Sequence, residues 1–274
     1  MPKSRDMARS TQGTLELIPE DERPSAVGLW EPDTGWGTEQ ANYWERTLGD
    51  AGYDIALRET FSLGSQDFST LISRSQNAGV EILLSTPTPP GGITAMNQMQ
   101  SNNFAPKVLQ FVRAADPQAW WSALGEAGAF ALMCPGWVPG MTGGGNQQLL
   151  ELAANQTSTA ANTSEGTTTS GSSSINDLLP VMVGSSYNVT QVAQQAISAA
   201  ESIESDALQS ALRSETFQTV IGEFGFEDNG LPIEGQLTAP TGQWWDGAQH
   251  TVFPDTGGEA AIDLKYPLAP WNER

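Results

Sequence analysis

Four short segments gather the side chains that could meet a small molecule. They are Asp33-Thr34-Gly35-Trp36-Gly37, Ser85-Thr86-Pro87-Thr88, Arg113-Ala114-Ala115-Asp116 and Pro135-Gly136-Trp137. Together they supply two indoles, hydroxyls, one guanidinium and backbone N–H groups, with Asp116 just beyond the guanidinium. That mixture suits a small polar ligand with an apolar part. It suits bond-making poorly. His250 is the only histidine and Cys134 the only cysteine, so no histidine-based triad or metal cluster can be assembled within the chain. Cys134 ends the apolar run Phe130-Ala131-Leu132-Met133 and reads as a buried small hydrophobe. Glu31, Asp33 and Glu81 could pair as catalytic carboxylates, but acid is so abundant here that such a pairing carries no information. No enzyme activity and no cofactor or metal is expected.

Each candidate has a plainer alternative. Trp36 and Trp137 either line a pocket or pack beneath it. Thr34 belongs to the first loop. Thr86 and Thr88 either reach a ligand or only end a strand before Pro89-Pro90. Arg113 would favour a carboxylate or other anion if it faces the ligand, and otherwise belongs to a surface salt bridge. A register shifted by a few residues would put Asp116 there in its place.

The segments matter because of the elements that precede them. Ala26-Val27-Gly28-Leu29-Trp30, Ile55–Phe61, Glu81–Ser85, Lys107–Val112 and Ala129–Cys134 read as strands. Helical stretches separate them: Thr38–Ala51, one capped by Asp67, Ile93–Gln100 and Gln118–Gly125. Strands alternating with helices of this length imply βαβ units and a parallel sheet covered on both faces. The four segments then sit at the carboxyl ends of strands, where open parallel sheets bind ligands. Gln156–Ser174 is nearly all Thr, Ser, Gly, Ala and Asn and reads as a disordered loop. Val189–Ile203 reads as an amphipathic helix, and Asp246-Gly247 as a hairpin turn after Trp244-Trp245.

The 274 residues carry 32 acidic against 12 basic side chains, a formal charge of -20. The lysines are Lys3, Lys107 and Lys265, so the basic patch that nucleic-acid binding needs is missing. Acid spread along the whole chain suggests a surface adapted to high salt, where self-repulsion is screened within a few ångströms. No window approaches the roughly 18 consecutive apolar residues of a membrane span. Met1–Thr14 has basic residues but no apolar run, unlike a signal peptide. Asn155-Gln156-Thr157, Asn162-Thr163-Ser164 and Asn188-Val189-Thr190 match the glycosylation acceptor pattern, weak support for an extracytoplasmic location.

Several passages, taken in order, resemble the type I periplasmic substrate-binding proteins of ABC importers, in the branched-chain amino-acid-binding family. Val27–Gly37 resembles the strand and Gly-containing loop of the family's second lobe. Asp67-Phe68-Ser69-Thr70-Leu71-Ile72, then Ala78-Gly79 and a strand, resembles its D-F-[ST]-x-L-I helix and the A-G strand after it. Phe217–Phe226, Gln243-Trp244-Trp245-Asp246-Gly247 and the ending Tyr266-Pro267 to Trp271 are similar to its late motifs. The resemblance covers Ser25 to Trp271, with the first half of lobe one missing. It implies an α/β fold with helices on both faces of a parallel sheet, one lobe complete and the other partial.

The implied division is 1–24 as a lead-in or hinge remnant of lobe one, 25–140 as ligand-binding lobe two, and 141–174 as a helix and low-complexity loop. Residues 175–215 come next as a helical remnant of lobe one, and 216–274 as return strands, hairpin and tail. The resemblance also implies an extracytoplasmic, monomeric clamp that binds an amino acid or related amide or carboxylate between its lobes. The clamp would deliver that solute to ABC permease subunits. In the amino-acid binders a carboxylate near the third segment pairs with the ligand ammonium; here the nearest matches are Arg113 and Asp116. A sensor domain of the same fold, or a truncated remnant that no longer binds, are the rival readings.

Overall fold

Apolar residues that alternate between two sides of each strand force both faces of a sheet under cover. The computed structural model, which describes residues 2–161, 182–254 and 261–273, shows that sheet. Strands β1 (Ala26–Pro32), β2 (Asp54–Phe61), β3 (Ile82–Ser85), β4 (Val108–Phe111) and β5 (Leu132–Met133) pair in parallel in the order β2-β1-β3-β4-β5. Two antiparallel strands, β8 (Thr241–Trp245) and β9 (Ala248–Phe253), extend it beyond β5. They are joined by Asp246-Gly247 with φ of 49° and 81°, the left-handed pair that a tight two-residue hairpin requires.

Alternation along the strands sorts two cores. Trp30, Leu83, Leu109 and Phe111 point to one face and pack with α3 (Ser69–Asn77), α4 (Pro89–Ser101) and α5 (Ala119–Leu124). Val27, Leu29, Ile82 and Leu84 point to the other and pack with α1 (Ser4–Glu16) and α2 (Gly35–Asp50). The helix after β1 therefore lies on one face and the helix after β3 on the other. β1 and β3 are neighbours, so the crevice between their carboxyl ends is the topological switch point of the sheet.

The chain divides into a larger unit, 2–135 with 239–274, and a smaller one, 136–238. Residues 2–24, expected as a lead-in from another lobe, instead build α1 inside the larger unit. Its polar face is buried and spent on the sheet. Thr11 Oγ1 donates to Gln110 Oε1 at 2.7 Å and takes the Trp44 Nε1–H at 2.9 Å, while Ser10 Oγ donates to the Ala239 carbonyl at 2.6 Å. Helix α1 reads as polar in sequence because its buried face is held by hydrogen bonds as much as by apolar contact.

The smaller unit holds α6 (Asn146–Ala161), α7 (Met182–Ala200), α8 (Ser205–Ser214) and a short antiparallel pair, β6 (Phe217–Thr219) and β7 (Gly222–Phe224). Its core is Trp137, Leu149, Val220, Ile221, Phe224 and Leu237. The loop expected over Gln156–Ser174 begins later than the composition suggests, because α6 continues to Ala161; the rest of it lies outside the described residues. The helix expected at Val189–Ile203 runs earlier, and its apolar stripe is not its buried side. Val189, Ile197 and Ile203 are 64%, 44% and 79% exposed. The buried side is set by small and polar residues, Gly184, Ser185, Asn188 and Ala196. Asn188 is thereby enclosed within α7, which removes it as a glycosylation acceptor.

Candidate functional site

Three of the four loops named from sequence emerge side by side at the carboxyl end of the larger unit's sheet. Their spacing is set by strand register: Trp30 pairs with Ser85 and Ser85 with Phe111, so the residues after each leave the sheet at one level. The Ser85 hydroxyl donates to the Trp30 carbonyl at 2.6 Å and pins β1 to β3 just below the switch point.

Trp36 and Arg113 meet there. The guanidinium carbon of Arg113 lies 5.3 Å from the centre of the Trp36 ring, a cation–π contact. Trp36 is half-buried and Arg113 is exposed. Arg113 adopts φ of 72°, a left-handed conformation unfavourable for a residue with a Cβ, which aims its side chain out of the strand direction. Among the described residues no carboxylate lies within 4.0 Å of it, so the surface salt bridge weighed above is absent. That is notable in a chain this acidic, in which Arg58, Arg74 and Lys107 are each paired with a glutamate.

Asp116 takes a different role. Its carboxylate lies near the backbone N–H and the guanidinium of Arg113, both of which favour its charged form. Part of the residue reaches the surface, but Oδ1 is enclosed and lacks a partner among the described residues. Burial raises its pKa to about 7, a rise that the Arg113 backbone hydrogen bond and the nearby guanidinium only partly offset. The Asp116 carbonyl accepts from Gln249 Nε2 at 2.6 Å, tying the loop to β9. Gly92 of α4 presses on the Ala114 methyl so closely that a Cβ on Gly92 has no room. The loop that carries Arg113 is thus held by α4 and by β9.

Thr86 is 2% exposed, and its Oγ1 has no hydrogen-bond partner among the described residues, the expected mark of a polar group waiting for a ligand or a water. Thr34 and Thr88 do structural work. Thr34 Oγ1 accepts the Gly37 N–H at 3.0 Å and Thr88 Oγ1 the Gly91 N–H at 3.4 Å, so they are the N-caps of α2 and α4. Their hydroxyl protons stay free to donate. Thr ahead of Gly or Pro at a helix start is itself a capping signal in the sequence, and here it outweighs the reading as loop polarity.

Trp137 belongs to the smaller unit. It is fully buried in the core of the smaller unit, with Nε1 donating to Asn146 Oδ1 at 2.8 Å and Gly184 against its ring. No face of the indole is left for a ligand. The reason is a glycine far along the chain, Gly184, which no local reading of Pro135-Gly136-Trp137 reveals. Cys134 is likewise buried, and burial pushes its thiol well above the ordinary range. Glu31 is engaged by Arg58 Nη2 at 2.7 Å and by the Thr38 hydroxyl, bonds that outweigh burial and hold its pKa below the usual value. No group of three or more metal-ligating side chains occurs among the described residues.

A concavity of about 800 Å³ is lined by the end of α1, by β9 and by residues 261–266, including Leu17, Thr251 and Tyr266. It shares no residue with the loops above.

The model of the periplasmic binding protein family matches residues 6–240, most of the chain. The chain therefore belongs to the periplasmic binding protein family. Among curated proteins it is 23% identical over 283 residues to a Leu/Ile/Val-binding protein homolog of Brucella abortus, a match covering 96% of this chain and 65% of that protein. The chain thus spans just under two thirds of the curated relatives it matches. Among solved structures it is similar to a leucine binding protein from Thermotoga maritima (TM-score 0.70, 15% identity, 89% of this chain and 64% of that one). It is also similar to a structure from Silicibacter pomeroyi assigned to a branched-chain amino acid ABC transporter (TM-score 0.75, 13% identity, 98% and 68%). The fold is that of the type I binding proteins of this group. No helix of the described residues is long and apolar enough to cross a membrane.

Proposed function

We propose that this chain is the solute-binding component of an ABC importer, taking an amino acid or similar small polar solute at the carboxyl ends of β1, β3 and β4. Binding is its activity, and delivery to membrane permease subunits outside the cytoplasm is its purpose. The observation that carries the reading is the cluster at the switch point: a half-buried indole, an unpaired guanidinium over it, and the enclosed, unpartnered hydroxyl of Thr86. Such a cluster can hold a polar head and an apolar body without any nucleophile or base. The names of the relatives support the solute class. The net charge of -20 supports a surface suited to concentrated salt.

A thermal-shift screen of the full chain in molar salt tests this. The panel holds branched-chain and polar amino acids, short amides, urea and small carboxylates. A solute present at a hundred times its Kd stabilises the native state by about 2.7 kcal/mol, a visible rise in Tm. A cooperative melt that no solute moves counts against the proposal.

A further inference from the structure

The two charged candidates of the third loop are not equivalent. Arg113 is exposed, lies over the Trp36 ring and is unpaired; Asp116 has an enclosed oxygen, and burial disfavours its charged form. An incoming ammonium therefore meets no ready acceptor at this loop. The other acids close by are also unsuited. Glu31 is occupied by Arg58 and Thr38, and Asp33 sits beside the end of β2, with its N–H bonded to the Phe61 carbonyl at 2.8 Å. β2 lies on the side of β1 away from β3 and β4. An incoming anion, by contrast, meets an exposed, unpaired guanidinium held over an indole ring. Its planar N–H fork is the donor set that a carboxylate accepts with two parallel bonds. The left-handed backbone at Arg113 is an unfavourable conformation in a loop tied down by the Gln249 bond to the Asp116 carbonyl and by the Gly92 contact on Ala114, the kind of local cost that persists where the side chain has work to do.

We infer that the ligand is a small organic acid without an α-ammonium group, its carboxylate bound by Arg113, its apolar part against Trp36, and Thr86 Oγ1 completing the polar contacts. Arg113 reads charge, Trp36 supplies apolar surface, and Asp116 is a positioning residue. The inference rests on the solute-binding reading above and narrows its ligand class.

The test is isothermal titration of the full chain in molar salt with two matched sets of probes. One set is leucine, leucinamide and 4-methylpentanoate, which is leucine without its amino group. The other is phenylalanine, phenylalaninamide and 3-phenylpropanoate. In at least one set the deaminated acid binds about ten times or more tightly than the amino acid, and the amide binds worst. Arg113→Gln weakens that acid at least about tenfold, and Arg113→Lys, which keeps the charge but not the fork, falls between. Both variants are first checked for wild-type melting. Binding of an amino acid or amide that equals or exceeds that of its acid overturns the inference and leaves the solute-binding reading intact. So does acid binding that Arg113→Gln leaves unchanged. Binding of acids only after the change to Gln would overturn it as well. Silence of all six probes in a chain that responds to other solutes of the panel overturns the inference alone. Silence to every solute tells against both.

Discussion

The larger and smaller units spend their apolar residues differently. In the larger unit both faces of a seven-stranded sheet are covered, and Trp30, Trp44, Trp120 and Trp244 are all at most 2% exposed. In the smaller unit α7 buries its glycine, serine and asparagine and turns Val189 and Ile197 outward, and α6 does the same with Leu152. The larger unit has the features of a self-sufficient domain, with helices on both sides of its core. The smaller unit has a compact centre around Trp137, against which Leu149, Val183 and Val192 pack, but its helices leave Leu152, Val189 and Ile197 exposed. Side-chain amides also tie it together: Gln191 joins the Gly144 carbonyl and the Val220 N–H, and Gln195 makes two hydrogen bonds to the Gln218 backbone. The three loops of the candidate site all belong to the well-covered unit.

The largest expected effects test whether the two units are separable. Trp120→Ala removes a fully buried ring that packs edge-on to Phe111 and donates to the Gly128 carbonyl; it costs about 3–5 kcal/mol in a denaturant melt. Trp137→Ala costs a similar amount locally. Hydrogen exchange should show its damage confined to 136–238, with the sheet of the larger unit still protected. Equal loss of protection in both units would break the comparison.

Next comes Asp116. Its folded pKa of about 7 lies above the ordinary value of 3.8, so the folded state prefers the protonated acid. The contribution of Asp116 to stability is full below about pH 4 and declines as pH rises toward 7, by at most about 4 kcal/mol, then levels. Asp116→Asn cannot ionise, so the melting temperature of the wild type should fall relative to that of the variant across that window. A parallel decline in both proteins assigns the pH dependence elsewhere.

Smaller still is Arg113→Gly. Glycine accepts φ of 72° without penalty, so this change is neutral or stabilising by about 1 kcal/mol even as the guanidinium is lost. A clear destabilisation in a denaturant melt would show that the arginine side chain supports the fold. Smallest is Ile203→Ser. At 79% exposed, the side chain should be replaceable within about 0.5 kcal/mol, and the same change at a covered position would not be.

Much of the larger unit is legible in sequence because parallel strands buried on both faces must be short apolar runs, and those at Val27, Ile82 and Val108 are. The position of the candidate loops comes from that topology alone. Three things are hidden. Helix α1 places Ser10, Thr11 and Thr14 in a core, and polar residues signal surface unless their partners on β4, α2 and β8 are known. The difference between Trp36 and Trp137 lies in distant neighbours, Arg113 for one and Gly184 for the other. The difference between Arg113 and Asp116 lies in a backbone turn that no spacing encodes. Where local pattern and tertiary partner agree, the sequence is a sufficient guide; where a polar group is satisfied only across the fold, it is not.

The most direct measurement is hydrogen exchange of the full chain with and without the tightest solute of the thermal-shift panel. The account predicts new protection in segments 33–38, 85–91 and 112–116, at the ends of β1, β3 and β4. Protection confined to residues around Leu17, Thr251 and Tyr266, with those three loops unchanged, would place the ligand in the concavity there and contradict it.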